Sequence, residues 1–525
     1  MCVKKVLKLL FVFTFVSIFS LQGIWGNPAE ASEGEEPDIR IGVVPSVESL
    51  KVGAVGKFDV IDKETGEVLL TGDKEEVQVE LAGSSVVKTN YRLQVSYTTN
   101  NAAVADWLHL AESNGYSTYV EEYNNGWRLL IGEFPSDASF SVRTAFKNEI
   151  IAKGLGASDA YWRLITTVEG ESTIKVSKGE TAITTTNPIQ VVSEDLVTIN
   201  GNQYRGIAEV GFNSSGALAG INELPIEEYL YGVVPRELPP VPYGELEAQK
   251  SQAIAARTYA LSNMGKRGKD GYDLLPTTSD QVYGGYDAEH PISNDAVDGT
   301  RGIVATYEGK LITAVFNSTS GGFSANNEDV WSSDPVPYLR GVPDAQRGES
   351  FEHVPSLEVF KNHSNSKSLR AASEGDFEAD WSKYHRWNFE WTAEEMSDVL
   401  STSFNTEVGR VYEINVLERS NSGRVLNIEF VTENGTFYET KDRIRTTLKY
   451  INASGNQASL LSTLFHIEPV KDSNKEVIGF KVYGGGWGHG VGLSQTGAVG
   501  MAEKGATFEE ILKHYYQGID IEDRY

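Results

Sequence analysis

Cysteine is nearly absent from this sequence, since Cys2 is the only one among 525 residues. Its place at the extreme N-terminus excludes a disulfide framework, an iron–sulfur cluster and a thiolate zinc site in the body of the chain. Basic residues are also scarce, with 46 Lys and Arg against 73 Asp and Glu and a net charge of −27. This balance argues against sequence-independent binding to nucleic acid, which requires clustered Lys and Arg, and suits a neutral ligand or a cationic neighbour.

Long apolar runs are lacking except near the start of the chain. Lysines precede the run Leu9–Leu21, and the small-x-small sequence Ala29–Ala31 follows it. This order predicts a signal peptide over residues 1–31 and an acidic linker over 32–38. The run is also close to the ~20 residues that span a bilayer, so an uncleaved anchor is the alternative. Both interpretations place the body outside the cytoplasm, either secreted or anchored on the outer face, and export without cystines suggests a bacterial protein.

The length and the residue pattern predict several domains of the α+β class. Short alternating strands between turn residues predict a β-rich part over 39–88, and the same pattern returns over Ile174–Ile221. We therefore predict that residues 89–167 form a small unit, inserted into one larger β-rich domain or appended between its halves. The remaining chain, 168–525, is predicted to form the main domain.

The unit 89–167 has a pattern of its own. Four strands are predicted at Tyr91–Val95, Tyr116–Val120, Trp127–Ile131 and Ala160–Ile165, with helices at Asn101–Asn114 and Ser136–Lys153. This β-α-β-β-α-β order resembles the sporulation-related repeat (SPOR) domain, a ferredoxin-like module whose family binds bacterial wall glycan stripped of its peptides. The resemblance implies a glycan anchor, and the alternative is a plain packing domain.

A first candidate for chemistry follows the β-rich part. Pro225 and Gly232 predict the start and the end of a short helix. The next segment, Val233–Pro242, is rich in proline, which lacks an amide donor, so we predict that Glu237 lies on a stiff, non-helical loop. Apolar neighbours would raise its pKa towards that of a general acid. The alternative is an exposed loop carboxylate.

The strongest helical pattern lies at Glu245–Met264, where alanines indicate close packing along one stripe. Arg257 stands in this apolar setting. An unpaired buried guanidinium is very costly, so we expect a site carboxylate or an orphan carbonyl as its partner.

Near the C-terminus, Trp487 and His489 lie in the glycine-rich run Gly484–Ala498. Glycine allows positive φ or close approach, and an aromatic ring held there offers a flat apolar face, so the run predicts a binding surface. The alternative is a tight structural turn with Trp487 as a core plug and His489 as its hydrogen-bond partner.

Several motifs in one order resemble a single family, the stage II sporulation protein D/amidase enhancer (SpoIID/LytB) family. These motifs are Tyr229–Pro239, Glu247–Leu261, Asp280–Gly285, Phe316–Gly322, Glu328–Trp331, Pro337–Pro343 and Gly486–Gly497. The resemblance implies a β-rich domain with a helical active-site segment and a role directed at peptidoglycan. In catalytic members it implies a lytic transglycosylase, which cuts between N-acetylmuramic acid and N-acetylglucosamine.

The catalytic acid of the family falls on Glu237. The resemblance implies that this one carboxylate protonates the leaving glycosidic oxygen and then accepts the proton of the C6 hydroxyl of the sugar, which attacks to give a 1,6-anhydro end. Hydrolysis by water would instead require a second carboxylate across the bond. Hydrogen bonds and shape for the sugar are expected from a further set: Arg257, Gln281, Tyr283, Ser318, Ser320, Gly321, Trp487, His489 and Gln495.

No metal or cofactor is expected. Some members of the family hold a metal through His and Cys around the Ser-Gly-Gly turn, but here Asn317 precedes Ser318, Phe323 follows the glycines and no cysteine is near. Residues 345–470 are predicted to form an inserted subregion, of which Trp387–Pro469 resembles the insertion that most members carry.

The leading hypothesis is an exported bacterial lytic transglycosylase for peptide-free glycan strands, with residues 89–167 as a glycan anchor. The alternative is a non-catalytic protein that binds wall glycan and enhances a separate N-acetylmuramoyl-L-alanine amidase, and a third is a purely structural wall-binding protein. The expected partners are glycan strands and a cell-wall amidase, without nucleic acid. The sequence leaves open whether the role is in sporulation or in vegetative wall turnover.

Overall fold

The computed structural model describes residues 34–83, 86–123, 126–157, 159–169, 172–345, 356–365, 377, 382–452 and 454–525. The predicted signal peptide lies outside these residues, as do part of the linker and most of the polar stretch that opens the inserted subregion. Within the described ranges, no helix has both the length and the apolar character needed to cross a membrane.

The chain begins with five strands whose buried residues alternate with polar ones, as a pleated strand requires when one face packs on a core. In β3, for example, Phe58, Val60 and Asp62 are buried. The strands are β1 (Asp38–Val47), β2 (Ser49–Ala54), β3 (Lys57–Asp62), β4 (Val68–Asp73) and β5 (Glu76–Gly83).

A small unit follows with the predicted succession of strands and helices. It contains β6 (Val86–Thr98), α1 (Asn101–Ser113), β7 (Thr118–Tyr123), β8 (Gly126–Pro135), α2 (Phe140–Ala152) and β9 (Tyr161–Glu169). The strands form one antiparallel sheet in the order β7-β8-β6-β9. Both helices pack on this sheet over a separate apolar core that includes Leu93, Val104, Ile131 and Ile150.

Seven further strands complete two six-stranded sheets, ordered β1-β16-β15-β12-β3-β4 and β11-β10-β5-β2-β13-β14. They are β10 (Thr173–Lys178), β11 (Thr181–Thr185), β12 (Ile189–Ser193), β13 (Val197–Ile199), β14 (Asn202–Tyr204), β15 (Ile207–Phe212) and β16 (Leu218–Pro225). The two sheets share one apolar core. β5 and β10 pair antiparallel, with Val79 opposite Val176, so the chain leaves this sheet before the small unit and returns beside the same strand.

The helical segment comprises α3 (Ile226–Glu237), α4 (Leu246–Ser262) and α5 (Pro291–Asp298), with short 3-10 turns at Gly268–Asp270 and Tyr286–Ala288. The prediction that α3 ends at Gly232 and that Glu237 lies on a non-helical loop is wrong. Proline inside a helix costs about 3 kcal/mol, but burial of Val233 and Val234 in the core contributes roughly 1.5–3 kcal/mol each. The Gly232 carbonyl also accepts a hydrogen bond from the Gly284 amide at 3.0 Å. Packing therefore outweighs the proline, and α3 continues to Glu237.

The C-terminal part of the chain packs against α4. Its elements before the inserted subregion are β17 (Ile303–Tyr307), β18 (Lys310–Leu311), β19 (Phe316–Asn317) and α6 (Asn327–Val330). The subregion itself contains α7 (Leu357–Asn365), β20 (Trp387–Thr392), α8 (Ala393–Phe404), β21 (Val411–Arg419), β22 (Val425–Thr432), β23 (Gly435–Thr440), α9 (Arg443–Thr447), β24 (Lys449–Ile451), β25 (Gln457–Ser459) and β26 (Phe465–Lys471). After it come β27 (Val477–Gly484), β28 (Leu493–Ser494), α10 (Gln495–Glu503), α11 (Phe508–Tyr515) and β29 (Asp520–Asp523).

The predicted alanine-rich helix is α4, and it lies between two apolar cores. Ala253 and Ala256 pack in the core of the β-sheets, whereas Ile254 and Ala255 pack in a second core with α10 and α11. Small side chains on both sides let the neighbouring elements approach the helix closely. This β-rich α+β fold therefore brings the end of α3 next to the start of α10.

Candidate active site around Glu237

Glu237 is the last residue of α3, and its side chain is half-buried. The amide of Val282 donates a hydrogen bond to Glu237 Oε1 at 2.6 Å, and the side chain of Gln495 donates another to the carboxylate. Loss of surrounding water raises the pKa of Glu237 to about 7, although the two hydrogen bonds oppose the shift. No Lys or Arg of the described residues contributes to this pKa. Glu237 is therefore poised to change protonation state near neutral pH.

The neighbours of Val282 hold its amide in place. Gln281 is fully buried, where its Nε2 donates to the Ala256 carbonyl at 3.2 Å and its Oε1 accepts from the Tyr229 hydroxyl at 3.2 Å. Tyr283 is also buried and donates to Asn222 Oδ1 at 2.8 Å. The substrate-binding roles expected for Gln281 and Tyr283 therefore do not fit their positions, because both polar groups are used inside the protein.

Tyr283 also explains Gly232, which the sequence suggested as a helix end. A Cβ on Gly232 would lie 2.5 Å from the Tyr283 ring. The glycine is needed because the ring packs directly on the backbone of α3.

Arg257 is fully buried and has the partners that its apolar setting predicts. Its guanidinium binds Glu227 through two hydrogen bonds, Nε to Oε1 at 2.7 Å and Nη2 to Oε2 at 2.6 Å. It also donates to the carbonyls of Ile303 at 3.0 Å and Val297 at 3.4 Å. The expected substrate-binding role of Arg257 is wrong, because its donors are used in joining α3, α4, α5 and β17.

The glycine-rich run forms a loop that pairs with the Ser-Gly-Gly turn. The Thr319 amide donates to the Trp487 carbonyl at 3.1 Å, and the Trp487 amide donates to the Thr319 carbonyl at 2.8 Å. Gly321 has φ of +78°, and a Cβ there would lie 2.8 Å from the Gly485 backbone. The sequence predicted that glycine would let a ligand approach the backbone here. The group that approaches is instead another loop of the same chain.

Buried side chains fix this turn. Ser320 Oγ donates to Asp344 Oδ2 at 2.6 Å, and the Tyr515 hydroxyl donates to the other oxygen of Asp344. Because Ser320 and Gly321 are buried, the sugar contacts expected of them from the sequence do not fit the structure. Ser318 remains half-exposed, while its carbonyl accepts from the Thr496 amide at 3.0 Å.

Two arginines of the inserted subregion hold the carbonyls of the same turn. Arg386 Nη1 donates to the Gly321 carbonyl at 2.9 Å. Arg424 donates to the carbonyls of Ser320 at 2.8 Å and Phe323 at 2.7 Å. Sequence reasoning missed both arginines. Arg424 precedes Val425 and Leu426, so the argument that identified Arg257 in an apolar setting would also have indicated Arg424.

His489 supports the loop from within. Its Nδ1 accepts a hydrogen bond from the Val491 amide at 3.0 Å, its ring also hydrogen-bonds the Phe316 backbone, and it lies 5.0 Å from the Trp331 ring. Burial lowers the pKa of His489 to about 4, so the ring is neutral at physiological pH. These contacts match the structural alternative for His489 and occupy its ring nitrogens.

Trp487 differs from its neighbours because 40% of its surface is exposed. Its ring lies 4.3 Å from the Tyr384 ring, between centroids. The alternative of a core plug is therefore wrong, and an aromatic face is open to solvent beside the loop.

Gln495 joins the two halves of the site. It is the first residue of α10, and besides Glu237 it contacts Gln252 of α4, its Nε2 donating to Gln252 Oε1 at 3.3 Å. The next residue, Thr496, binds the Ser318 carbonyl, so one short segment connects the carboxylate to the turn that pairs with Trp487. Sequence reasoning missed Gln252, since only the fold brings α4 to this position. The described residues contain no group of three or more His, Cys, Asp and Glu that could hold a metal ion.

Comparison with known proteins places these elements in a family. Residues 214–307 match a family model described as stage II sporulation protein, and residues 325–492 match one described as a domain of unknown function (DUF8618). Neither match covers residues 89–167, so the SPOR resemblance of that unit stays a prediction.

Three curated relatives show the extent of the similarity. The chain is 32% identical over 333 residues to an uncharacterized protein of Brachyspira hyodysenteriae, which covers 63% of this chain and 75% of that protein. It is 32% identical over 311 residues to the amidase enhancer of Bacillus subtilis, covering 55% of this chain and 39% of that protein. It is 29% identical over 322 residues to stage II sporulation protein D of Bacillus subtilis, covering 58% and 76%. The match over 214–307 contains α3 and α4 with Glu237, and the chain belongs to the stage II sporulation protein D/amidase enhancer family.

Proposed function

We propose that this protein acts on the bacterial cell wall as a lytic transglycosylase, which cleaves the bond between N-acetylmuramic acid and N-acetylglucosamine in peptide-free glycan strands. The observation that carries the proposal is the position of Glu237. This carboxylate has a pKa of about 7, lies in the segment that matches the family, and is bound by Gln495 next to the loop of Trp487.

The proposed chemistry uses Glu237 first as an acid and then as a base. Protonated Glu237 gives its proton to the glycosidic oxygen, and the bond from that oxygen to C1 of N-acetylmuramic acid breaks. The carboxylate then accepts the proton of the C6 hydroxyl of the same sugar while O6 bonds to C1. The products are a free 4-hydroxyl on N-acetylglucosamine and a 1,6-anhydro ring, and no water is consumed.

The surroundings of Glu237 suit this double role. An acid–base group works best when its pKa lies near the working pH, because both protonation states are then accessible. The Val282 amide and the Gln495 side chain both donate to the carboxylate, so both hydrogen bonds favour the charged form that acts as the base. The side chain that hydrogen-bonds the carboxylate is an amide, Gln495, whereas hydrolysis by water calls for a second carboxylate about 5–9.5 Å away.

The substrate contacts that fit the structure are fewer than the sequence predicted. Trp487 offers an open ring face to the apolar side of a pyranose. Ser318 offers a half-exposed hydroxyl. Gln495 is buried and hydrogen-bonds Glu237 and Gln252, so it positions the carboxylate and the sugar contact expected of it does not fit. The buried residues of the predicted set position these groups.

Incubation of the purified protein with peptide-free glycan strands tests the proposal. Mass spectrometry is expected to detect fragments with 1,6-anhydro ends, and the Glu237→Gln protein is expected to produce none above background. Glu228→Gln is a matched control, because Glu228 lies on the same helix and is also half-buried. Equal product from the parent and Glu237→Gln proteins would refute the catalytic role of Glu237, and no anhydro ends from the parent would refute the enzymatic role.

A second candidate function has its own support, since one relative is named amidase enhancer. In this function the protein binds wall glycan and stimulates a separate amidase without cleaving glycan itself. Unchanged stimulation of a cell-wall amidase by the Glu237→Gln protein, together with no anhydro product from the parent, would favour it.

We also propose that residues 89–167 are a SPOR-type, ferredoxin-like module that binds the same stripped glycan. The support is the β-α-β-β-α-β order and the sheet order β7-β8-β6-β9. Two units for one polymer on one chain raise the effective concentration of the site at that polymer. Binding of peptide-free glycan that is unchanged when the module is deleted would contradict this role.

A further inference from the structure

The inserted subregion contains a cavity of about 320 Å³ that lies apart from Glu237. It is enclosed by β20, the first turns of α8, and the pair β24 and β25, and its lining includes Phe389, Trp391, Asp398, Lys449, Tyr450 and Gln457. Its volume falls at the lower end of the ~300–1,000 Å³ that ligand pockets occupy. The cavity is therefore large enough for one ring of a small ligand or of a polymer.

The floor of the cavity is aromatic. The rings of Phe389 and Tyr450 stack with centroids 3.8 Å apart and an angle of 21° between planes, and both side chains are half-buried. Trp391 holds the two strands together, because its Nε1 donates to the Lys449 carbonyl at 2.7 Å. A fixed pair of rings that stays partly open presents a flat apolar face to a ligand.

The rim of the cavity is polar and mixes donors with acceptors. Glu390 and Asp398 provide carboxylate acceptors, and Lys449 and Gln457 provide donors. Asp398 and Gln457 are exposed, so their side chains are free to reorient towards a ligand. A flat apolar floor with donors and acceptors around it matches a pyranose, whose C–H face is apolar and whose hydroxyl groups project from its edge.

A row of aromatic rings connects the cavity floor to the loop of Trp487. The ring centroids of Trp387 and Phe389 are 5.2 Å apart. Trp387 Nε1 also donates to the carbonyl of Gly486, the residue before Trp487, at 2.8 Å. On the other side, the ring of Trp487 contacts the ring of Tyr384. Tyr384 also lies near Tyr450, whose pKa is raised mainly by burial and in part by Tyr384. The row therefore leads from the glycine-rich loop to the cavity floor.

We propose that this cavity is a second carbohydrate subsite, which binds a pyranose of the same glycan strand at a distance from the bond that Glu237 acts on. The inference rests on the proposed function for the identity of the polymer. The carboxylates of Glu390, Glu395 and Asp398 at the cavity repel another carboxylate. The expected occupant is therefore N-acetylglucosamine, which is neutral, rather than N-acetylmuramic acid, whose lactyl carboxylate is free once the peptides are removed. The subregion thus makes the protein prefer long strands over short ones.

Binding measured in the Glu237→Gln protein tests the subsite without cleavage. Calorimetric titration with peptide-free strands of graded length is expected to show affinity that rises with length. Tyr450→Ala is expected to weaken binding of long strands about tenfold, the loss of roughly one aromatic contact, and to leave the shortest strands unaffected. Tyr450→Phe keeps the ring and is expected to bind like the parent. Tyr438→Ala is the matched control, since Tyr438 is an exposed tyrosine of the same subregion outside the cavity.

Equal affinity of the parent and Tyr450→Ala proteins for long strands would overturn the subsite, as would binding that appears only with stem peptides attached. If Tyr450→Ala fails to fold by circular dichroism, the double variant Asp398→Ala and Gln457→Ala replaces it, because both residues are exposed. Loss of the length dependence in that variant supports the proposal, and its retention overturns it. Absence of anhydro ends from the parent protein would refute the enzymatic role without changing this binding result, so the two proposals fail separately.

Discussion

The two ends of α3 carry glutamates in opposite surroundings. Glu227, in the first turn, is buried, binds Arg257, and accepts further hydrogen bonds from the Gly302 amide at 3.2 Å and the Tyr525 hydroxyl at 2.6 Å. Glu237, at the last turn, receives one amide and one side-chain donor, and no cation among the described residues. The helix dipole favours a negative charge at the first end and disfavours it at the second.

This contrast shows what separates a structural carboxylate from one with the pKa that the proposed acid–base role requires. Burial alone does not, because both side chains are removed from water to a large extent. Glu227 contacts the guanidinium of Arg257, and this ion pair joins two helices. Glu237 has no such partner among the described residues, so burial raises its pKa.

The largest expected effect concerns the reactive end. Glu237→Gln should reduce formation of anhydro ends by about 10²–10⁴-fold, the usual contribution of a general acid. The free energy of unfolding at neutral pH should not fall, because the amide keeps the shape and carries no charge. Product release assayed by mass spectrometry, with chemical denaturation beside it, checks both parts. A large loss of stability would show that this end is also structural.

The opposite outcome is expected at the structural end. Glu227→Gln leaves Arg257 as a buried charge without its carboxylate, so the free energy of unfolding should fall by about 3–5 kcal/mol. Urea denaturation followed by tryptophan fluorescence measures this change. Glu228→Gln, the half-buried neighbour, should cost much less, and an equal cost for both variants would contradict the role of the ion pair.

The pH dependence of stability should also distinguish the two ends. The folded pKa of Glu237, about 7, lies above its ordinary value of 4.5, so its contribution is fully present below pH 4.5 and is lost as the pH rises through 7. The loss should be on the order of 3 kcal/mol. Denaturation from pH 4.5 to 8 should therefore show a smaller decline for Glu237→Gln than for the parent, and parallel curves would argue against the raised pKa.

The smallest effect concerns the amide that contacts the reactive carboxylate. Gln495→Leu removes a donor to the charged form of Glu237, which should raise its pKa further and move the high-pH loss of activity upwards, by a shift that corresponds to roughly 1 kcal/mol. A pH–rate profile measures the shift. Gln517→Leu is a control, since Gln517 donates to the His514 carbonyl away from Glu237. A drop in rate at all pH values without a shift would indicate a merely structural role.

Local patterns predicted those parts of the fold that local forces determine. The alanine stripe predicted α4, and alternation of apolar residues predicted the strands of the β-rich part and of residues 89–167. The motif around Glu237 led to the proposed role of this carboxylate. The path of α3 through Pro235 was missed, because its stability comes from burial of Val233 and Val234 against distant strands.

Side-chain roles in the site were harder to predict for the same reason. Arg257, Gln281 and Tyr283 carry groups suited to a sugar, and only the tertiary structure shows that Glu227, Tyr229 and Asn222 already bind them. Arg386 and Arg424 act on a turn far away in the sequence, so no spacing rule connects them to it.

The pairing of β5 with β10 has a mechanical consequence. Gly83 and Thr173 face each other in the ladder, so the unit from β6 to β9 is connected to the sheet at adjacent positions of one interior strand pair. Tension on that unit from a stretched wall polymer would pass into the middle of a hydrogen-bonded sheet instead of pulling at a free chain end. Because of the same arrangement, the unit can be replaced by a short turn from Gly83 to Thr173, and the register of the host strands would stay unchanged.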